Sequence, residues 1–306
     1  MGLVETFNFS LCSKRTFEII KRAVRRCNHS LSVTINGRKC EFKIKEKKGT
    51  IRVLGSYEHP FASNQSGFLH GQRYRKHVED DYMGFYFTCQ QPWTGLKLIV
   101  EHMSTLYDRP MANELVLKNT KVEEISELFL YLRDSITRLV FENNCKVEKA
   151  RKSFPSLKYI EYRFFWAMSA FHDVSWEYEE VNIRDGKFFE YRKLPMLKCP
   201  YLTIENPFWA PEEVSEYLKQ WIAGDLPWIR HHTIGVSDFQ EHLLLDEIRH
   251  VKNDQRVLRI PNHNKTRNRQ ALQAAYDIQS DRGLQATCFV SEAANGGIVV
   301  DLVVRD

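Results

Sequence analysis

A weak internal repeat in the middle of the chain constrains the fold more than any other feature of the sequence. The first copy runs from Glu114 to about Asn143 and has the pattern of a strand, a helix and a second strand. The second copy begins at Leu202 and Ile204 and has Pro211 at the start of its helix. A strand followed by a helix and another strand predicts a right-handed crossover and a parallel sheet. The apolar residues at helical spacing are Ile125, Leu128, Phe129 and Leu132 in the first copy and Val214, Tyr217, Leu218 and Trp221 in the second.

Units of this kind must stack, because none of them can bury its own apolar helix stripe. We therefore predict an α/β fold: a short leucine-rich-repeat-like solenoid of strand–helix units with flanking antiparallel β hairpins. Residues 154–160 predict one more repeat strand. The alternative, two unrelated strand–helix–strand pieces, stays open.

The flanking segments show the alternation typical of antiparallel strands. Residues 31–35 and 40–44 enclose Asn36-Gly37, a strong hairpin signal, and residues 50–54 predict a third strand. We interpret residues 55–83 as a long loop and Leu96 to Val100 as a strand. Near the end of the chain, three strands are predicted, at residues 275–278, 284–290 and 297–304.

The N-terminal residues 5–26 predict two short helices. Ser13 can cap the second, in which Phe17, Ile20 and Val24 follow helical spacing. The basic residues of this region allow a second hypothesis, that the helix binds nucleic acid. They are Lys14-Arg15, Lys21-Arg22 and Arg25-Arg26. The net charge of +5 is mild for 306 residues, so we regard nucleic acid as the less favoured partner.

The seven cysteines favour a reducing compartment, which predicts a location in the cytoplasm or nucleus. Their number is odd, they are scattered, and none forms a CxxC pair of the kind that binds zinc. No apolar stretch is long enough to span a membrane. The phosphate-binding and hydrolase motifs that mark many enzymes are also missing from the sequence. We therefore expect no metal, no cofactor, no membrane partner and no catalytic residues.

Two further features call for interpretation. Adjacent residues of a strand point to opposite faces, so His231 and His232 are expected to be structural and not to share a metal ion.

The aromatic segment 159–178 holds our candidate residues for binding a target protein, because tryptophan, tyrosine and arginine dominate protein interfaces. These candidates are Arg163, Phe165, Trp166 and Trp176. Packing of the same side chains in the core is the alternative.

Residues 5–24, and within them the run Phe9 to Arg15, resemble the second half of an F-box. The hairpins, the segment from Leu202 to about Ile234 with Trp221 and Gly224, and the tail from Tyr276 to Val304 resemble the type 2 F-box associated domain of a large nematode family.

The resemblance implies an F-box remnant at residues 1–28 and a recognition domain at residues 29–306. It implies that Phe7, Phe9, Leu11 and Cys12 bind a Skp-type adaptor. The chain would then be the substrate-recognition subunit of a cullin-RING ubiquitin ligase, with no chemistry of its own and an unknown target protein. Since Met1 falls in the middle of the motif, residues 5–26 are expected to bind the adaptor weakly or not at all.

Overall fold

The computed structural model describes most of the chain, which divides into two units, Met1–Leu157 and Lys158–Asp306. The chain is α/β, as predicted. The predicted boundary at residue 28 lies inside the first unit and stays a prediction. The described residues are Thr6, 9–24, 30–36, 39–46, 49–56, 65–70, 72–79, 82–87, 92–107, 113–118, Leu130, 132–142, 153–163, 177–253 without positions 188, 208 and 238, 271–292 and 296–305.

The described residues of the first unit include a mixed sheet of eight strands. In spatial order they run β8–β7–β1–β2–β3–β6–β5–β4. The β1–β7, β7–β8 and β3–β6 pairs are parallel, and the other pairs are antiparallel. The strands are β1 (Ser30–Asn36), β2 (Lys39–Glu46), β3 (Gly49–Ser56), β4 (Gln65–Leu69), β5 (Gln72–Glu79), β6 (Tyr82–Phe87), β7 (Glu114–Lys118) and β8 (Arg138–Glu142).

The predicted hairpin is confirmed, since β1 and β2 pair in antiparallel register up to Asn36 and Lys39. The predicted loop at residues 55–83 is wrong, because this segment forms β4 and β5 and the start of β6. Its polar residues alternate along strands: Leu69 and Tyr74 are buried, while Phe68 and Arg73 are exposed. Such strands bury only one face, so their composition resembles that of a loop.

The predicted strand at Leu96 to Val100 is also wrong. These residues lie in helix α2 (Pro92–Tyr107), which starts with proline at its first position. Ile99, Met103 and Leu106 are buried at helical spacing. A short apolar run cannot distinguish a strand from a buried helix, and here the run is part of a longer helical pattern.

Helix α1 (Lys14–Val24) is confirmed as the second of the two predicted N-terminal helices; the first lies largely outside the described residues. The Ser13 hydroxyl accepts a hydrogen bond from the Thr16 amide at 3.1 Å, which caps the helix as expected. Helix α1 packs against α2, with Ile20 buried and the Phe17 ring 5.1 Å from the ring of His102.

The second unit has four parallel strands followed in space by antiparallel ones, in the order β9–β10–β11–β12–β16–β15–β14–β13. The three predicted C-terminal strands are confirmed as β14, β15 and β16. The strands are β9 (Tyr159–Tyr162), β10 (Glu180–Ile183), β11 (Tyr201–Ile204), β12 (His231–Val236), β13 (His250–Lys252), β14 (Ala271–Gln279), β15 (Gln285–Glu292) and β16 (Ile298–Val304). The helical elements are a 3₁₀ helix (Tyr191–Met196), α3 (Pro211–Ala223) and α4 (Glu241–Leu244).

Helix α3 agrees closely with the prediction. Pro211 opens it, and the Glu213 carboxylate accepts a hydrogen bond from the Ala210 amide at 3.0 Å. Gly224 ends it in a left-handed conformation, with φ of 84°. Its apolar stripe is buried, which anchors the helix in the unit; the stripe is Val214, Tyr217, Leu218 and Trp221.

Three of the four parallel strands, β9, β10 and β11, recur at a constant interval. Tyr159, Glu180 and Tyr201 occupy one register position in β9, β10 and β11, and they follow one another every 21 residues. The second and fourth residues of each strand are buried, and their faces therefore form the core side of the sheet. These residues are Ile160 and Tyr162, Val181 and Ile183, Leu202 and Ile204, and His232 and Ile234.

Candidate functional site

The other side of the parallel strands in the second unit carries a row of polar side chains, which we call the polar row. Strand alternation places them at one register position in five neighbouring strands, and all are buried. The members of the polar row are Glu161, Asn182, Thr203, Thr233 and Asp301. Buried polar side chains are costly unless they form hydrogen bonds or ion pairs. The contacts at each end of the polar row show how that cost is compensated.

At one end of the polar row, the carboxylate of Glu161 gathers three donors. The Nε atoms of Arg163 and Arg184 lie 2.9 and 2.7 Å from its Oε1 atom. The hydroxyl of Tyr159 donates to Oε2 at 3.2 Å. The Glu161 side chain is fully buried, whereas the side chains of Arg163 and Arg184 are 34% and 48% exposed. Two half-exposed guanidinium groups are therefore held in place by one buried carboxylate.

At the other end, Asp301 gathers a hydroxyl and an imidazole. Thr233 Oγ1 donates to Asp301 Oδ1 at 2.6 Å, and His231 Nε2 lies 3.0 Å from the same oxygen. Thr233 Oγ1 is also 3.2 Å from His231 Nε2. Asp301 is fully buried and His231 nearly so. This cluster joins β12 to β16 and is shielded from water, which favours a structural role.

Asn182, in the middle of the polar row, is different. It is 7% exposed, and its side-chain oxygen is buried without a hydrogen-bond partner among the described residues. An unsatisfied buried amide oxygen costs free energy, so Asn182, between Glu161 and Thr203, is a position of the row where burial is not fully compensated.

The core side of β12 holds His232, whose imidazole is fully enclosed. Its Nε2 atom donates to the carbonyl of Cys199 at 2.9 Å, and the hydroxyl of Tyr217 donates to its Nδ1 atom. Burial lowers the pKa of His232 from 6.5 to about 3, and it raises the pKa values of Tyr217 and Cys199. His231 and His232 thus lie on opposite faces with different partners, as the sequence predicted.

Of the predicted target-binding residues, the structure places Arg163 beside the polar row. Phe165, Trp166 and Trp176 lie outside the described residues. Sequence reasoning missed Glu161, Arg184 and Asp301. The signal that could have found Arg184 is the 21-residue interval, because Arg184 follows Arg163 by one interval and Ile183 pairs with Tyr162 in the sheet.

The predicted adaptor-binding residues lie just before α1, except Phe7, which is outside the described residues. Phe9 is 49% exposed, Cys12 is exposed and Leu11 is half-buried. Between them, Ser10 is buried and its hydroxyl lies 2.9 Å from His102 Nε2. Burial, with a smaller contribution from His70, lowers the pKa of His102 to about 4.

In the part of the chain that the structure describes, no group of three or more histidine, cysteine, aspartate or glutamate side chains could hold a metal ion. No helix in these ranges is long and apolar enough to cross a membrane.

Comparisons with known proteins add no relative. The chain matches no protein-family model, no curated protein and no solved structure.

Proposed function

We propose that the chain is the substrate-recognition subunit of a cullin-RING ubiquitin ligase of the F-box class, acting in the cytoplasm or nucleus. In this proposal residues around Phe9 meet a Skp-type adaptor, and the surface beside the polar row meets the target protein. Cullin is reached through the adaptor. The chain binds and positions its target and is not itself an enzyme.

The observation that carries the proposal is the pair Arg163 and Arg184, held side by side by Glu161. Arginine is enriched at the energetic centres of protein interfaces, and pre-positioning lowers the entropy lost on binding. The parallel strands at this surface favour the leucine-rich-repeat-like interpretation. Their 21-residue interval falls within the range of about 20–29 residues typical of that repeat, with two buried residues at alternate strand positions.

The N-terminal segment supports the adaptor half of the proposal. Phe9 and Cys12 are exposed although Ser10, between them, is fixed to His102. An exposed phenylalanine on an anchored segment is suited to burial against a partner.

The adaptor half is tested by calorimetric titration with a purified Skp-type adaptor. We compare this chain with the same chain carrying a complete F-box N-terminal helix. An added helix that buries two Leu-sized side chains against the adaptor, at about 1.5 to 3 kcal/mol each, is expected to tighten binding by about 2 to 4 decades. Equal, tight affinity would refute the expectation of weak binding. Absence of binding by both chains would refute the F-box assignment.

The target half is tested by quantitative co-purification from cells. The Arg163→Gln, Arg184→Gln double variant is compared with Lys252→Gln, which removes an exposed cation on β13. We expect the double variant to lose proteins that both the unaltered chain and the Lys252→Gln control retain. An unchanged set of partners would rule out this surface as the target site.

The second candidate is nucleic-acid binding through α1. It is favoured by Lys14, Arg15 and Arg22, which line one surface depression and make no ion pair in the described part of the chain. Binding of this kind weakens steeply as salt rises, because phosphate contacts release counterions. Retention on immobilised nucleic acid with a steep salt dependence would favour this function over the first.

A further inference from the structure

An open depression of about 590 Å³ borders the outward side of α1. Its described lining comes entirely from this helix, with Lys14, Glu18 and Arg22 on one ridge and Arg15 and Ile19 on the next. We call this surface the α1 depression. The inward side, with Ile20, packs within the first unit, so the depression is the side that α1 offers to a partner.

The α1 depression combines uncompensated charge with an exposed apolar side chain. Lys14, Arg15 and Arg22 have no ion-pair partner among the described residues, and Glu18 supplies the single negative charge. Together these four described side chains carry a net charge of about +2. Ile19 lies among these charges and is 58% exposed. A partner that matches both features is acidic and carries an apolar group.

An acidic polypeptide fits this combination better than nucleic acid or lipid. A phosphate backbone would meet Glu18 between Lys14 and Arg22, and it has no aliphatic group for Ile19. A membrane-surface helix needs a broad apolar stripe facing outward, whereas the outward side of α1 has Ile19 alone among charges. Separate aspartate and glutamate side chains around one aliphatic or aromatic residue can pair with the three cations and cover Ile19, and they can be spaced to leave Glu18 in solvent.

We propose that the α1 depression docks an acidic peptide segment of a partner protein, with one aliphatic or aromatic anchor residue packed against Ile19. The three cations pair with flanking aspartate or glutamate side chains. The site lies within the segment assigned to the F-box remnant but uses neither the polar row nor Phe9, so the two proposals are tested separately.

The experiment begins with selection of short random peptides displayed against the whole chain. The peptides enriched are expected to hold several acidic residues around one apolar residue. The best peptide is then titrated by fluorescence anisotropy against variants. Ile19→Ser is expected to weaken binding about tenfold, and the Arg15→Gln, Arg22→Gln double variant about threefold to tenfold, more at low salt.

Two controls are matched to these variants. Leu130→Ser removes another exposed apolar side chain of the first unit, and Arg133→Gln removes another exposed cation. Both are expected to bind the peptide as the unaltered chain does. Thermal unfolding of all variants checks that each is folded.

The outcomes separate the possible partners. Selected peptides without an acidic bias, or equal binding by the Ile19→Ser variant, would overturn the proposal. So would tighter binding to single-stranded RNA or to phosphatidylcholine–phosphatidylserine vesicles than to any selected peptide. The F-box proposal fails separately, in the adaptor titration.

Discussion

The two faces of the parallel strands in the second unit achieve burial by different means. On the core face, strand residues and the stripe of α3 exclude water by apolar packing, and even His232 is held neutral there. On the opposite face, the polar row is buried through charge-assisted and hydroxyl hydrogen bonds around Glu161 and Asp301. The adjacent pair His231 and His232 shows that the face, and not the residue type, decides what a side chain does.

The largest expected effect is on the core face. Trp221→Ala removes the largest fully enclosed side chain of α3 and leaves a cavity. We expect the free energy of unfolding to fall by about 3–5 kcal/mol in urea titrations. Val251→Ala, at a 69% exposed position, is the control and should change it by less than about 0.5 kcal/mol. A loss below about 1 kcal/mol for Trp221→Ala would show that α3 is not packed as described.

The polar row should respond next. Asp301→Ala deprives Thr233 and His231 of their buried acceptor, and we expect a loss of about 2–3 kcal/mol in the same titrations. Adding Thr233→Val removes the stranded hydroxyl, so the double variant should recover part of the loss. Asp246→Ala, at an exposed carboxylate, serves as control. Strict additivity of the two substitutions would contradict the described hydrogen bond.

Low pH should destabilise the protein through His232 on the core face. Its folded pKa is about 3 against 6.5 in the unfolded chain, so below pH 6.5 only the unfolded chain takes up this proton. This contribution to stability is complete above pH 6.5 and is lost as the pH falls toward 3, by about 1.4 kcal/mol per pH unit. Between pH 6.5 and 5, the free energy of unfolding of the His232→Gln variant is expected to fall by about 2 kcal/mol less than that of the unaltered chain, as measured by urea titration at each pH. Parallel stability–pH curves for the two chains would disprove the buried, neutral imidazole.

The smallest effect is expected at the half-exposed rim of the polar row. Arg184→Gln removes a donor to Glu161, and since the Arg184 side chain is 48% exposed, solvent compensates for most of the loss. Stability should change by less than about 1 kcal/mol. A loss above about 2 kcal/mol would mean that Arg184 is part of the core and is not presented for binding.

Local patterns in the sequence predicted several elements well. The Ser13 cap, the β1–β2 hairpin and the buried stripe of α3 each follow from residues close together in the chain. The opposite orientations of His231 and His232 follow from strand alternation alone. The helix stripe of the first proposed copy, with Ile125, lies outside the described residues, apart from Leu132, which is buried.

The 21-residue interval was harder to recognise in the sequence than these local patterns. Each of the strands β9, β10 and β11 contributes only two buried positions on the core face, and Tyr162 stands where an aliphatic residue would have made the pattern visible. The site around Glu161 depends on that interval, because Arg163 and Arg184 meet only when β9 and β10 lie side by side. Strands β4 and β5, which are polar on one face, were not predicted. The burial of such strands depends on neighbours that are distant in sequence.

The regular 21-residue interval also affects which insertions and deletions the chain can accept during evolution. Duplication or loss of 21 residues between Tyr159 and Tyr201 moves the sequence by one whole strand and leaves the remaining residues at their own register positions. An insertion of one residue within a strand instead turns the apolar side chains that follow toward the wrong face. Gene rearrangement can therefore widen or narrow this sheet in whole-strand steps, and length differences among descendants of the chain are expected to cluster at multiples of that step.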